Sequence, residues 1–526
     1  MKTTNLRSDR RLRRSFLALG ALLSAGAMLD HAIATDSPVL FGKSISGVPL
    51  ANPEVITDNV ISPEFGGAIH VQGLELLENP SGLITQYGYL SDGTRTEPDE
   101  NTYLVLDHNP GGPVSGYDYG RHFLLQGHEN AGNRAYITRV NLDVASPDHR
   151  ITLMTPVGAT GLTGFNSIDG STWNPFSRTM LFTEEAGTNG GVIEMSPDFD
   201  PATGAGAGLR TLFGSIGRGG FEGLHPDDRG NVLLVEDSGG TTVNFGKNPN
   251  SFVYRFVPTN PADLTHGVLQ ALQVSISGSP VTFVPVNAAN PTGDTLSNNQ
   301  LLLHTVGASH PVRWVTIHDT AIQGTASFDA NAAAKAAGAT PFKRPENGQF
   351  QPGTKFETFY FVITGDTDSR AGAQPALAAR GAWGGIFRVD LDHSRDAGSI
   401  SLVVLGDADH SSFDNITFTD DKDTILLTED RGDTLHDQLN KLDSIWSYKL
   451  DKDPRKITAA RLVALGEDRM APIATAEDNE PTGLFMSDGD ASVQGLLGTQ
   501  PLQVDQSLLF FTQQHGENNT FEIFSR

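Results

Sequence analysis

The chain has 526 residues, with Lys+Arg 37 against Asp+Glu 62, a net charge of −25, 57 Gly, 29 Pro and no Cys. A disulfide framework, a Cys-ligated zinc or iron–sulfur site and a thiol nucleophile are therefore excluded, and an apolar fraction of 38% belongs to a folded chain rather than a disordered one. Phosphate backbones attract basic surfaces, so the acidity argues against a nucleic-acid partner and leaves metal cations or a well-solvated exported surface.

At the N-terminus, Lys2, Arg7, Arg10, Arg11, Arg13 and Arg14 precede an uncharged apolar run over residues 16–29, and Ala32-Ile33-Ala34 supplies a small-x-small cleavage pattern. The run is short for a bilayer span and reads as a signal peptide over residues 1–34. The string R-R-S-F-L-A at 13–18 looks like a twin-arginine signal, which predicts export of an already folded protein to the periplasm or beyond. Removing those residues takes away six basic and two acidic side chains and leaves a charge of about −29, so the acidity belongs to the folded part. No later run is long enough to cross a membrane and no Gly/Ser or Pro tract forms a linker. Residues 35–526 are expected to form one monomeric domain.

Along that domain, short β-type runs lie between Gly, Asn, Asp and Pro: residues 103–106, 122–125, 179–183, 232–235, 252–257, 359–364, 386–389, 425–428 and 508–512. Such spacing predicts an all-β fold, a sandwich, barrel or propeller. One short helix is expected over 330–337, capped by Asp329 and ended by Gly338, as an insertion.

The strand ends share a pattern. Several close on carboxylates or polar pairs: G-H-E-N at 127–130, Thr183-Glu184-Glu185, Val235-Glu236-Asp237, Gly365-Asp366, Thr428-Glu429-Asp430 and Gln513-Gln514-His515. Glu222 lies fourteen residues before Glu236, and Asn415, preceded by Asp414, fourteen before Glu429, with an acidic turn between each pair. A β-hairpin sets the start of its first strand beside the end of its second, so each pair should share one edge of a hairpin. If the hairpins are blades of a propeller, those edges converge on one mouth of the central channel, and five or six blades would place a ring of carboxylates there. Crowded carboxylates repel unless a cation neutralises them, and Glu, Asp, Asn and Thr are the hard oxygen donors that calcium takes.

Longer words in the same order resemble the PhoX-type alkaline phosphatases. They are G-H-E-N, the block D-G-S-T-W-N-P-F-S-R-T-M-L-F-T-E-E at 169–185, G-R-G-G-F-E-G at 217–223, V-E-D-S-G at 235–239, Y-R-F-V-P at 254–258, F-K-R-P-E at 342–346, D-N-I-T-F at 414–418, L-T-E-D at 427–430, E-P-T-G at 480–483 and the final Q-Q-H. The resemblance implies a β-propeller of about six blades with loop and short-helix insertions, exported, that hydrolyses phosphate esters with calcium ions and an iron pair. It implies Glu222 and Glu346 as metal ligands at the reacting centre and Arg344 as the phosphate contact. Glu185, Asp414, Asn415 and Glu480 would join the metal shell, together with the strand-end Glu184, Glu236, Glu429 and Asp430. Three positions depart from the family. Thr183 stands where the family has the iron-ligating Cys, which argues against iron; Phe221 stands where it often has His, and Asn347 where it has Gly.

No G-x-S-x-G elbow, H-E-x-x-H helix or G-x-x-x-x-G-K-[ST] loop occurs. His128 and His515 read as hydrogen-bonded histidines rather than calcium ligands. Two alternatives remain beside the phosphatase: a non-catalytic calcium-binding propeller, favoured by the absence of Cys, and a propeller lactonase.

Overall fold

The computed structural model describes residues 59–526 apart from 64, 80, 369, 393, 420–421, 431–440, 467–478, 497–507, 516 and 526. The signal read over residues 1–34 lies outside them. Each of the nine runs predicted as strands overlaps a strand, with Leu106, Phe252 and Thr364 one residue outside, and all but 103–106 belong to the second or third strand of a four-stranded antiparallel unit. Six such units follow one another. In chain order they comprise Glu97–Val105 to Ile151–Leu153, Ile168–Asn174 to Arg210–Thr211, Phe221–Pro226 to Asp263–Ile276, Pro345–Phe350 to Ala397–Leu405, Phe413–Phe418 to Thr458–Ala464, and Glu480–Ser487 to Thr520–Ser525.

The first strand of each unit packs against the first strand of the next, and Glu480–Ser487 packs against Glu97–Val105, so the ring closes. The fold is a six-bladed β-propeller. Its last blade takes its outermost strand, Phe65–Val71, from the start of the described chain, with Phe65 opposite Ser525 and Ile69 opposite Phe521. That pairing joins segments from opposite ends of the described residues in one blade.

Apolar clusters fill the spaces between blades. Leu233 and Val235 pack toward the fourth blade with Phe359 and Phe361, whereas Val232 and Leu234 pack toward the second with Leu181 and Val192. Both faces of a middle strand are thus buried, which is why these strands read as continuous apolar runs rather than alternating ones. Truncating one such side chain to Ala should cost about 2–5 kcal/mol.

The insertion between the third and fourth blades adds the helix Ala330–Ala336, where the Asp329 side chain accepts the Ala332 N–H at 2.8 Å and Gly338 follows at φ +73°. It also adds the strand Ser309–Asp319, which pairs with Asp263–Ile276 on one side and Ala397–Leu405 on the other. The outer edges of these two blades are zipped into one sheet. Among the described residues no helix is long and apolar enough to cross a membrane.

Candidate metal centre

Every innermost strand breaks its register once near its start. The breaks fall between Pro98 and Asn101, Ile168 and Ser171, Phe221 and Leu224, Pro345 and Gly348, Phe413 and Ile416, and Thr482 and Phe485. A bulge re-aims its side chains out of the ladder. In five blades its first residue is a carboxylate: Asp99, Asp169, Glu222, Glu346 and Asp414. The sixth blade has Gly483 there at φ +59°, where a Cβ would lie 2.4 Å from the Asn101 side chain, and supplies Glu480 at the start of its strand instead.

The second residue of the bulge explains the D-G and E-G words. A Cβ on Gly170 would lie 2.4 Å from the Glu222 carbonyl oxygen, and one on Gly223 would lie 2.3 Å from Asn347 Oδ1. Glycine at these two positions lets neighbouring bulges close on the channel.

All six carboxylates are buried. Burial, reinforced by neighbouring carboxylates, pushes Asp99 up to about 7 and drives Asp169, Glu222, Glu346, Asp414 and Glu480 well above the usual range. Asp169 and Glu222 bring carboxylate oxygens within 4.8 Å of each other, and the charge of Asp169 adds to burial in driving Glu222 up. Two triads stand out, Asp99 with Glu129 and Asp169, and Asp169 with Glu185 and Glu222; in each, one oxygen from every member lies within 4.8 Å of the others. Oxygens bound about 2.4 Å from one calcium ion can be no farther apart than about 4.8 Å, a limit that both triads meet, with Asp169 common to both.

Below the ring the channel is crossed. Glu100 accepts the Ser171 N–H at 2.5 Å and the Asn347 side-chain N–H at 3.0 Å, joining the first blade to the fourth opposite it, and burial pushes Glu100 up to about 8. Asn347, a departure from the family pattern, therefore acts as a cross-channel strut. Asn415 bridges in the same layer, donating to Asp99 at 3.5 Å and accepting the Leu484 N–H at 3.2 Å.

The sequence-derived candidates thus divide. Glu222, Glu346, Asp414 and Glu480 line the mouth, with Asn415 in the layer below and Glu185 in a triad, and Asp430 acts electrostatically on Asp414 and Glu480. Glu184, Glu236 and Glu429 are directed elsewhere: Glu184 accepts the Asn166 N–H, Glu429 the Ser411 N–H, and Glu236 the Phe252 N–H, the Tyr254 hydroxyl and the Asn331 amide. Side chains alternate along a strand, so when Glu185 points to the channel Glu184 must point away. Asp99, Glu129 and Asp169 were missed as ligands, although Glu129 and Asp169 stand inside the quoted motifs; the fourteen-residue offset does not reach them, because Asp99 and Glu129 lie thirty residues apart and Asp169 and Glu185 sixteen.

Arg344 enters the mouth from the fourth blade. Its Nε donates to Asp237 Oδ2 at 2.6 Å, and its Nη2 lies 3.6 Å from Glu346 Oε1, which accepts the Thr364 hydroxyl at 2.5 Å. Thr183 is buried, and its hydroxyl donates to the Gly170 carbonyl at 3.4 Å, a neutral donor with no thiolate character. His128 is a core residue, stacked on Tyr136 and hydrogen-bonded to Thr138, with burial pushing it down to about 3. His515 lies at the mouth, with Nε2 3.1 Å from Glu480.

The comparisons agree with this architecture. Residues 221–462 match the family described as alkaline phosphatase PhoX. The fold resembles Pseudomonas fluorescens PhoX in complex with vanadate, a transition-state analogue, with a TM-score of 0.54 and 14% identity over 92% of this chain and 98% of that one. Soluble aldose sugar dehydrogenase from Escherichia coli superposes with a TM-score of 0.36 and 10% identity over 88% of this chain and 100% of that one. TolB from Acinetobacter baumannii does so with 0.30 and 9% over 81% and 63%. No curated protein sequence matches the chain. The resemblance carried by the ordered motifs is met in both comparisons: the fold is a β-propeller similar to that of Pseudomonas fluorescens PhoX, and residues 221–462 match the alkaline phosphatase PhoX family.

Proposed function

We propose that the protein is an exported, calcium-dependent hydrolase of phosphate esters, acting at the propeller mouth. The observation that supports this most is the pair of carboxylate triads sharing Asp169, linked through Glu222 and Glu346 to an anchored arginine. An oxygen-only donor set suits a hard divalent cation, and a guanidinium beside it suits a phosphoryl oxyanion. The family match over residues 221–462 points to the same class of chemistry.

In this reading Asp99, Glu129, Asp169, Glu185 and Glu222 hold calcium, with Glu346, Asp414, Asn415, Asp430 and Glu480 completing the shell. The bound cations would supply positive charge against the non-bridging phosphoryl oxygens and acidify water. The chain does the rest. Arg344 binds and orients the phosphoryl group, Thr364 fixes the carboxylate of Glu346 beside it, and any proton that crowding places on the carboxylates leaves when a cation takes its place. Crossing the channel through Glu100 and Asn347 confines the substrate to one mouth.

Iron does not fit as well. Thr183 occupies the family's Cys position with a hydroxyl committed to a backbone carbonyl, and the chain holds no sulfur ligand of that kind. Metal analysis of the purified protein is expected to find calcium without stoichiometric iron and no charge-transfer colour; whole-number iron would show that oxygen ligands have replaced the sulfur.

Arg344→Ala should leave calcium content unchanged while lowering kcat/KM by about a hundredfold, the loss of a charge-assisted phosphate contact, and should lower the melting temperature because Asp237 loses its buried partner. Arg344→Lys should recover only part, since a point charge does not reproduce the fork. Assay of monoester, diester and lactone substrates with these variants tests the reading: lactone turnover alone would overturn it, and full calcium occupancy without any turnover would favour a binding protein.

A further inference from the structure

We propose that Asp237 is a positioning residue that aims Arg344 at the phosphoryl oxyanion; the proposal rests on the phosphatase reading above. Asp237 follows Glu236 at the end of the second strand of its blade, the register position that Glu185 and Asp430 hold in the second and fifth blades. Glu185 joins a metal triad from that position. Asp237 is used differently: Oδ1 accepts the Gly239 N–H at 2.7 Å and Oδ2 accepts Arg344 Nε at 2.6 Å, the side chains being only 5% and 11% exposed. Both oxygens are committed, so one blade lends its carboxylate to the arginine of the next.

The clamp fixes an orientation. Gripping the guanidinium at Nε leaves the Nη2 edge on the side of Glu346, at 3.6 Å, toward the ring. The backbone of Arg344 is itself left-handed, at φ +50°, with its carbonyl accepting the Thr364 N–H at 3.0 Å. A bulky residue keeps such a conformation only where its surroundings over-determine it. Without Asp237 the guanidinium would turn onto the nearest ring carboxylate, since the mouth is crowded with them, and its planar fork would no longer meet the phosphate.

The test uses the calcium-loaded mature chain and four variants: Asp237→Ala, Asp237→Asn, Arg344→Ala and the Asp237→Ala/Arg344→Ala double. Calcium content, affinity for inorganic phosphate by calorimetry, kcat and KM are measured for each. Asp237→Ala is expected to weaken phosphate binding by about tenfold to a hundredfold at unchanged calcium content, and to add nothing once Arg344 is already Ala. Asp237→Asn keeps an oxygen acceptor for Nε and should lose less. Additive losses in the double variant, or loss of calcium from Asp237→Ala, would overturn the proposal, the second by making Asp237 a ligand. Should Asp237→Ala fail to fold, Asp237→Asn decides: unchanged phosphate affinity sinks the positioning role. If the parent protein neither binds phosphate nor hydrolyses esters, the phosphatase reading falls and this proposal with it; if the parent does both and the Asp237 variants match it, this proposal falls alone.

Discussion

Asp169→Asn is expected to have opposite effects on stability with and without calcium. Asp169 belongs to both triads, with an oxygen within 4.8 Å of one on Glu222. In chelated protein at pH 8, its carboxyl must either stay charged among Asp99, Glu185 and Glu222 or take up a proton that the unfolded chain would not hold. Either alternative favours unfolding, and the neutral, nearly isosteric amide removes it. The chelated variant should therefore melt about 2–5 °C above the chelated parent. With calcium the order reverses, because a buried cation that loses a ligand carboxylate loses charge compensation, at about 3–5 kcal/mol. Both triads lose occupancy together, and hydrolysis should fall by about two to four orders of magnitude. Calorimetric melting with and without chelator, on parent and variant, reads both signs; a variant that melts lower in both states would mean that Asp169 has a merely structural role.

Calcium removal should make the protein progressively less stable as pH rises. The ordinary carboxyl values are 3.8 for Asp and 4.5 for Glu, while Asp99 is pushed up to about 7 and Glu100 to about 8 by burial. A carboxyl whose folded value is raised is favourable below its unfolded value, where it is neutral in both states, and that stability is lost as pH climbs to the folded value. Across pH 4 to 8 one such group contributes a loss of about 4 kcal/mol, a large part of the 5–15 kcal/mol that typically holds a domain. Calcium binds the ionised form, so its affinity and its stabilisation should grow over the same window. Melting curves of chelated and calcium-saturated protein at half-unit steps from pH 5 to pH 8.5 should diverge upward. A chelated protein whose stability is flat or rises with pH would contradict the ring of cation-dependent carboxylates.

What the sequence made legible follows from where each strand sits. Middle strands such as Val232–Glu236 and Thr424–Glu429 are buried on both faces, so L-L-V and I-L-L announce them. The innermost strands were mostly invisible. E-P-D-E-N, I-D-G-S-T-W-N, P-E-N-G-Q-F and E-P-T-G-L-F-M-S are rich in Pro, Gly and carboxylates because they line a polar channel and bulge at their first turn. The local β signal therefore fails in the strands that carry the site. The hairpin offset recovered part of it: Phe221 does lie opposite Glu236 and Phe413 opposite Glu429. What the offset could not supply was facing. Glu184, Glu236 and Glu429 share strand ends with Glu185, Asp237 and Asp430, and only the three-dimensional register separates those turned to backbone N–H groups from those turned to the mouth.

The most direct test of the account is phosphomonoester hydrolysis by purified mature protein during a calcium titration from the fully chelated state, with Asp169→Asn alongside. The account predicts no turnover without calcium, turnover that rises with calcium occupancy in the parent, and none approaching it in the variant. Full calcium occupancy without turnover of either phosphomonoester or phosphodiester, or turnover indifferent to chelation, would contradict it.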